Sequence, residues 1–332
     1  MSTGRDLRSL PKAHLHLHLE GAMRRETLVE LAAHYGVPLP PVGDYNSFTE
    51  FSAIYEAVCA VLRTHNDLRR LVREVVEDAA ASGAVWLEMG VRPTLHRDKF
   101  ASDAEVLEIL LDEGQTAGRE LGLGVGALMT VDRTQPLGIA MKEAALAAAY
   151  AGKGVVSFGL ANDEYGHPPE AFAEPFAVAR RSGLLSCPHA GELDGADSVR
   201  SALDTLGADR IQHGIRAIED PELVRRLAND GICLDVCPTS NICLKVIPSV
   251  EEHPLPLLLE AGIPCSLNGD DPLFFGANLL DEYELCRDKL DLSDEQLARV
   301  ARASIESSGA PAALKASACA NIDAWLSDPV VS

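Results

Sequence analysis

The sequence lacks long hydrophobic runs and an excess of basic residues. No stretch approaches 18 uninterrupted apolar residues, so we expect no transmembrane helix. The first twelve residues carry no apolar core of the kind that marks a signal peptide, and we expect a cytoplasmic protein. Lys and Arg number 29 against 50 acidic residues, and the net charge of −21 argues against nucleic-acid and anionic-membrane partners. A small molecule that enters a pocket is the expected partner.

The sequence also lacks a C-x-x-C motif, although it contains eight cysteines. We therefore expect reduced thiols that serve mostly in packing. Apolar residues make up 47% and charged residues 24% of the 332 positions, which is ordinary globular usage. We expect residues 1–332 to form a single domain. Composition leaves open whether the chain forms a homo-oligomer.

Short apolar runs alternate with longer amphipathic patterns, which indicates βαβ units and a parallel sheet. Eight such units over about 250 residues predict an α/β fold, the closed (β/α)8 barrel. An open doubly wound sheet would need a glycine-rich phosphate turn after the first strand, and residues 20–23, EGAM, lack one. The predicted strands are His14–Leu19, Val85–Val91, Leu123–Thr130, Val155–Leu160, Leu184–His189, Arg210–His213, Ile232–Val236 and Pro264–Asn268.

Helical patterns fill the gaps between the predicted strands. The first gap spans about 65 residues, and such an insertion on the active face of a barrel commonly forms a lid. Its aromatic residues Phe48, Phe51 and Tyr55 fit either core packing or an apolar lid. The stretch Leu292–Trp325 is predicted to form helices that close the barrel. The other predicted helices are Thr27–His34, Ser47–Leu62, Asp67–Ala81, Asp103–Leu121, Pro136–Ala151, Pro169–Arg181, Ala196–Leu206 and Pro221–Asn229.

The first predicted strand carries the pattern H-x-H-x-H at His14, His16 and His18. Ten histidines in 332 residues would produce this pattern by chance about 0.01 times. Residues i and i+2 of a strand project to the same side, so the three imidazoles are expected to share one face. Paired imidazoles in this arrangement can chelate one metal ion. The alternative is an ordinary polar strand face.

Other ionisable residues follow predicted strands five, six and eight. His189 and Glu192 follow strand five, His213 ends strand six, and Asp270 and Asp271 follow strand eight. The carboxyl ends of barrel strands meet at one mouth, where active sites lie. Taken singly, each residue has a structural alternative, such as a core histidine or a helix N-cap. Together they predict an active site.

These segments resemble the adenosine deaminase branch of the amidohydrolase superfamily. The similar motifs occur in family order, and the resemblance spans about Leu10 to about Ser308. It implies that one zinc ion per chain is bound by His16, His18, His189 and Asp270. No lysine stands near the end of strand four, so a second bridged metal is not expected. The motifs are PKAHLHLHLEG, HAGE, IQHG, VCPTSN and LNGDDP.

The resemblance also implies roles in the hydrolytic deamination of a 6-aminopurine at C6. Glu192 would donate a proton to ring nitrogen N1, and His213 would orient the attacking water and stabilise the forming charge. Asp270 would take the proton of the water. The implied substrate-binding residues are His18, Glu20, Asn162 and Asp271, with Asp271 at N7 and Asn162 along the N3 edge.

Departures from the family pattern bear on the substrate. Glu20 stands where adenosine-specific members carry Asp, and Asn162 stands where nucleoside enzymes usually have Gly. We expect a 6-aminopurine nucleoside, either adenosine or a modified adenosine such as 6-amino-6-deoxyfutalosine. Free adenine is the alternative, and a catalytically silent purine-binding relative is less expected. The role of His14 stays open.

Overall fold

A computed structural model describes residues 4–43, 45 and 47–328. The strands pair in parallel in two runs, β1-β2-β3-β4-β5 and β6-β7-β8-β9. Their bounds are β1 Lys12–His14, β2 Ala84–Val91, β3 Gly124–Asp132, β4 Val155–Ala161, β5 Leu185–Ser186, β6 His189–Ala190, β7 Arg210–His213, β8 Cys233–Val236 and β9 Cys265–Leu267.

Main-chain hydrogen bonds close the two runs into a barrel. Cys187 N donates to Phe158 O (2.8 Å) and Gln212 N to Pro188 O (2.9 Å), so β5 and β6 are two pieces of one barrel strand. The strand is interrupted at Pro188, which has no N–H to donate to a ladder. Between the first and last strands, Asp270 N donates to His16 O (3.1 Å). The curled parallel sheet confirms the predicted α/β barrel.

Helices follow the strands and cover the outside of the barrel. Helices α1 to α3 form the insertion after β1, as predicted. Helix α13 packs against β1 and β9, and α14 packs against α13. No helix in the described part of the chain is long and apolar enough to cross a membrane. The bounds are α1 Arg25–Tyr35, α2 Phe48–Cys59, α3 His65–Ala81, α4 Asp103–Leu121, α5 Leu137–Ala149, α6 Ala173–Arg181, α7 Ala196–Ser201, α8 Pro221–Asp230, α9 Pro238–Cys243, α10 Leu255–Glu260, α11 Pro272–Phe275, α12 Leu279–Lys289, α13 Asp294–Glu306 and α14 Ala312–Ser327.

The first strand is shorter than predicted, and this prediction was wrong. Regular pairing ends at His14 rather than at Leu19. The reason is a side chain that takes the place of a neighbouring strand: Asn268 Oδ1 accepts hydrogen bonds from Leu15 N (2.7 Å) and His16 N (3.1 Å). Beyond this point the chain makes only single bridges to its neighbours, so strict side-chain alternation does not continue through the histidine motif.

Two predicted helices also differ in detail. The segment after residue 168 begins as a 3-10 helix, Pro169–Phe172, and becomes α-helical at Ala173. Helix α7 ends at Ser201 and continues as a π-helical turn over Ala202–Leu206. The remaining boundaries agree within a few residues, which is the usual uncertainty of helix and strand ends.

A buried ion pair network crosses the barrel interior. Arg210, which is fully buried, donates to Glu88 Oε2 (2.5 Å) and Asp235 Oδ2 (2.7 Å). Trp86 Nε1 (3.1 Å) and Gly309 N (2.6 Å) donate to the other oxygen of Glu88. Burial opposes ionisation of Glu88, but Arg210 and these donors bring its pKa below the ordinary value. The charges are therefore paired and hydrogen-bonded, as burial requires.

We expect Arg210→Met to lower the free energy of unfolding by about 3–5 kcal/mol, because it leaves two carboxylates buried without their cation. The matched control is Arg302→Met, which removes a largely exposed pair with Asp323 (2.5 Å). That change should cost less than about 1 kcal/mol. Urea unfolding followed by circular dichroism measures both. Equal losses in the two variants would contradict the structural role given to Arg210.

Candidate active site

Three imidazoles and one carboxylate meet at the carboxyl-end mouth of the barrel. Their ligand atoms all lie within 4.8 Å of one another. His16 Nε2 is 3.3 Å and His18 Nε2 is 3.4 Å from Asp270 Oδ1. The His189 ring centroid lies 4.7 Å from that of His16 and 5.2 Å from that of His18. This cluster contains the four residues predicted as metal ligands.

The surroundings of His16 suit a metal ligand. Its Nδ1 lies 3.2 Å from the main-chain oxygen of Asp235, which can only accept, so Nδ1 carries the proton. Its Nε2 is buried and has no hydrogen-bond partner in the described part of the chain. Metal-ligating histidines commonly donate their other ring N–H to a carbonyl in this way. Three imidazoles with one carboxylate are also a ligand set that suits Zn²⁺.

Two other groups of ligand-type atoms lie nearby. One combines His16 and His213 with Cys237, and the other combines Glu192, His213 and Asp270. Cys237 Sγ approaches Nδ1 of His16 (3.4 Å), which is the protonated side of that ring. Burial raises the pKa of the Cys237 thiol well above its ordinary value, whereas a metal ligand must be a thiolate. The cluster of three histidines and Asp270 is therefore the better metal site.

Candidate site residues adopt unusual backbone conformations. Asn162 (φ 80°), His213 (φ 60°) and Asp270 (φ 57°) all have left-handed φ angles that favour glycine. Such conformations cost roughly 1–3 kcal/mol each and persist where the surrounding structure imposes them, often at functional sites. Asp270 is held in place by Ser240, whose Oγ donates to its Oδ2 (2.6 Å).

Glu164 holds the loop that carries Glu192. Its carboxylate accepts hydrogen bonds from Gly191 N (3.0 Å), Glu192 N (2.9 Å), Leu193 N (3.0 Å) and Ser198 Oγ (2.5 Å). Glu164 was not predicted as a site residue, although it stands two positions after Asn162 in the run LANDE. Its position shortly after a predicted barrel strand is the feature of the sequence that could have identified this carboxylate as a site residue.

Two carboxyl groups of the mouth favour the protonated state. Burial, with the charges of Asp270 and Glu164, raises the pKa of Glu192 well above 4.5. Burial and the charge of Asp270 likewise raise the pKa of Asp271 well above 3.8. Within residues 4–43, 45 and 47–328, no group forms a hydrogen bond with the buried atoms Glu192 Oε1 and Asp271 Oδ1. Both acids can therefore donate a hydrogen bond to a bound molecule.

One cavity brings these groups together. Apart from His16, which is fully buried, all the predicted site residues line it. Phe48, Phe51 and Tyr55 of α2 line the same cavity, which favours the lid interpretation of these aromatics over simple core packing. The predicted site residues in the lining are His18, Glu20, Asn162, His189, Glu192, His213, Asp270 and Asp271.

Glu20 is enclosed at one side of this cavity. His96 Nε2 lies 2.8 Å from its Oε1, and the Tyr55 hydroxyl donates to its Oε2 (3.2 Å). Burial raises its pKa, but these two partners outweigh burial and bring the pKa below the ordinary value. Glu20 is thus an ionised, buried carboxylate. His96 and Tyr55 were not predicted as site residues, and His96 carries no recognisable sequence signal.

His14 does not share the face of the other two histidines, so that part of the prediction was wrong. Its Nε2 accepts a hydrogen bond from Gly269 N (3.0 Å), and the residue lines a separate cavity. The physical reason is the early end of β1, because alternation no longer aligns His14 with His16 and His18.

Comparison with known proteins places this site in a family. A family model described as adenosine deaminase matches residues 11–325. The chain belongs to the adenosine deaminase family. Its members are metal-dependent amidohydrolases, and this chain is one of them. The resemblance noted in the sequence is thereby confirmed.

Several named relatives align with 90% or more of this chain. A protein of Streptomyces virginiae, provisionally named adenosine/adenine deaminase, is 44% identical over 98% of this chain and 99% of its own length. An adenine deaminase of Sinorhizobium medicae is 39% identical over 90% and 93%. An aminodeoxyfutalosine deaminase of Streptomyces avermitilis is 36% identical over 98% and 96%.

Solved structures agree with the fold of this chain. The crystal structure of adenine deaminase from Arthrobacter aurescens has a TM-score of 0.88 at 31% identity and covers 96% of this chain and 99% of its own. An amidohydrolase from Burkhoderia ambifaria, solved with bound Zn, has a TM-score of 0.86 at 27% identity, with 96% and 92% covered. A similar structure thus contains zinc.

Proposed function

We propose that this adenosine deaminase family member hydrolyses the 6-amino group of a 6-aminopurine, with one zinc ion held by His16, His18, His189 and Asp270. The observation that carries the proposal is Glu192, a buried carboxyl group of raised pKa beside this cluster. A protonated acid at this place can protonate a ring nitrogen while an oxygen attacks the adjacent carbon.

A bound zinc ion would lower the pKa of a coordinated water from 15.7 to about 7. Asp270 accepts the proton of the attacking water, since its carboxylate reaches the cluster through Oδ1 and contacts Ser240 through Oδ2. His213 Nε2 lies 3.5 Å from Glu192 Oε2 and 3.8 Å from Asp270 Oδ2, so it faces the space between the acid and the base. It can stabilise charge that develops there.

Atoms balance over the reaction as follows. A C–O bond forms between the water oxygen and C6, and N1 receives the Glu192 proton. The C6–N bond then breaks, and the amino group leaves as ammonia with the one water proton that Asp270 accepted. N1 keeps the proton from Glu192, and the second water proton returns to Glu192 as the C6–oxygen double bond forms. The 6-oxopurine is the product. Glu192 is protonated again at the end of the cycle, and no oxidant or reductant is required.

Asp271 orients the purine at its N7 edge. N7 is a hydrogen-bond acceptor, and a protonated Asp271 can donate to it. Gly21 makes this position available, because a Cβ there would lie 1.7 Å from Asp271 Oδ1. Asn162 lines the cavity opposite, and its left-handed backbone brings its main chain to the purine edge that carries N3.

The surroundings of Glu20 favour free adenine as the substrate. Glu20 precedes Gly21, which packs against Asp271, so with Asp271 at N7 we place the Glu20 carboxylate on the side of the five-membered ring. Free adenine offers an N9–H donor on that side, which an ionised carboxylate accepts. Both oxygens of Glu20 already have protein partners, which leaves less capacity for ribose hydroxyls. The names of several relatives agree with this assignment.

A 6-aminopurine nucleoside, as the sequence predicts, is the second candidate. The cavity continues past Glu20 to polar side chains, among them Ser52 and the ion pair of Arg92 with Asp132 (2.9 Å). Such groups can bind the hydroxyls of a sugar or of a larger substituent. The relative named aminodeoxyfutalosine deaminase agrees with this alternative.

We further propose that residues 1–332 act as one catalytic unit.

Glu192→Gln tests the general acid. The amide cannot donate its proton in this way, so kcat should fall by about 10²–10⁴-fold while zinc content stays at one ion per chain. Ammonia release and metal analysis measure the two quantities. The control is Glu174→Gln, which changes a carboxyl group on α6 outside the cavity lining. Full activity of Glu192→Gln would remove Glu192 from the mechanism.

A substrate panel separates the two candidates. We expect kcat/KM for adenine to exceed that for adenosine and for 6-amino-6-deoxyfutalosine by tenfold or more, because Glu20 accepts N9–H. Glu20→Asp withdraws the carboxylate by one methylene and should lower the ratio of kcat/KM for adenine to kcat/KM for the nucleosides. Absorbance loss on deamination measures the rates. A nucleoside that leads by tenfold would overturn the adenine assignment and leave the acid chemistry intact.

A further inference from the structure

A chain of hydrogen bonds leads from the main chain to His213. Leu255 N donates to His253 Nδ1 (3.2 Å), and His253 Nε2 lies 3.2 Å from Asn241 Oδ1. Asn241 Nδ2 lies 3.3 Å from His213 Nδ1. All three side chains are buried, with 3% of His253, none of Asn241 and 1% of His213 exposed. None of these contacts is required by the reaction described above.

The main-chain N–H of Leu255 determines the direction of each of these three hydrogen bonds. A main-chain N–H can only donate, so His253 Nδ1 must be an acceptor and its proton is on Nε2. That N–H must meet an acceptor, which assigns the nearby atom of Asn241 as oxygen. The amide nitrogen of Asn241 then faces His213, and it too can only donate. His213 Nδ1 therefore carries no proton.

We propose that Asn241 and His253 are positioning residues that hold His213 in the tautomer protonated at Nε2. The consequence for catalysis rests on the function proposed above. The tautomer itself follows from the hydrogen-bond geometry alone, so the two can be tested separately.

The selected tautomer is the one the site can use. His213 Nε2 faces carboxyl oxygens of Glu192 (3.5 Å) and Asp270 (3.8 Å). An N–H at this atom attracts those oxygens and any oxygen that attacks between them. The other tautomer would present a lone pair that repels the carboxylate of Asp270 and accepts the Glu192 proton that the substrate needs. Holding the correct tautomer in advance avoids reorganisation during the reaction.

His253 is placed to act without touching the substrate. It lies between α9 and α10 and is not among the residues that line the cavity in the described part of the chain. Burial lowers its pKa to about 4, so it is neutral with a single ring proton near pH 7. Asn241 is anchored by its own main chain, because its carbonyl accepts from Val246 N (2.9 Å) and Ile247 N (3.0 Å).

The first test reads the tautomer directly in metal-free protein. Histidine labelled with ¹⁵N reports which ring nitrogen is protonated, since the two states differ in ¹⁵N chemical shift. A His213→Asn variant assigns the His213 signals among the ten histidines. We expect His213 in the wild-type protein to be protonated at Nε2 and unprotonated at Nδ1. The opposite pattern would overturn the proposal, whatever the activity of the enzyme.

The second test compares two substitutions of His253. His253→Gln retains an N–H donor near the position of Nε2, whereas His253→Met removes it at similar volume. We expect His253→Met to mix the tautomers of His213 and to lower kcat by about threefold to tenfold, with KM and zinc content changed less than twofold. His253→Gln should keep the wild-type tautomer and most of kcat. Thermal unfolding confirms that both variants fold.

Asn241→Leu provides an independent variant. It removes both hydrogen bonds of the amide, so kcat should fall by up to about 10²-fold and the His213 tautomer should no longer be unique. Variants of Asn241 and His253 that retain both the wild-type tautomer and wild-type kcat would overturn the proposal. An inactive wild-type protein with the expected tautomer would instead contradict the proposed function and leave the positioning role intact.

Discussion

The dense burial of polar groups at the barrel mouth is the constraint on which the rest of the structure depends. His16, His18, His189 and Asp270 are packed within a few ångströms, and His16 Nε2 has no hydrogen-bond partner among the described residues. Buried polar groups without partners are unfavourable unless a ligand or ion satisfies them. A single divalent cation satisfies this set at once. The fold maintains an arrangement that is favourable chiefly when the cation is bound.

Two side chains of the proposed site, those of His16 and Glu192, are held in place by residues that have no proposed part in the reaction. Asp235 holds His16 through its carbonyl oxygen and also joins the buried network around Arg210, so the barrel interior and the metal site are connected. Glu164 holds the loop of Glu192 through main-chain N–H groups. Such supporting contacts determine ligand orientation and proton positions, and they are as necessary to the chemistry as the ligands themselves.

Sequence patterns predict the barrel and the convergence of the site, because strand ends in a parallel barrel meet regardless of details between them. They cannot predict that Asn268 ends the first strand early and separates His14 from His16, since that depends on an amide from the last strand. They also miss Glu164 and His253. Glu164 acts mainly through main-chain N–H groups, so its position after a barrel strand is the only signal in the sequence. His253 acts through the Asn241 side chain, and no residue pattern along the chain indicates that contact.

The central claim is that one zinc ion is bound by three imidazoles and one carboxylate at this mouth. X-ray absorption at the zinc edge, on protein loaded with one equivalent, tests it most directly. The account predicts a shell of nitrogen and oxygen ligands at about 2.0–2.2 Å and no sulfur. A zinc–sulfur distance of about 2.3 Å would contradict it, because it would bring Cys237 into the site in place of the proposed ligands.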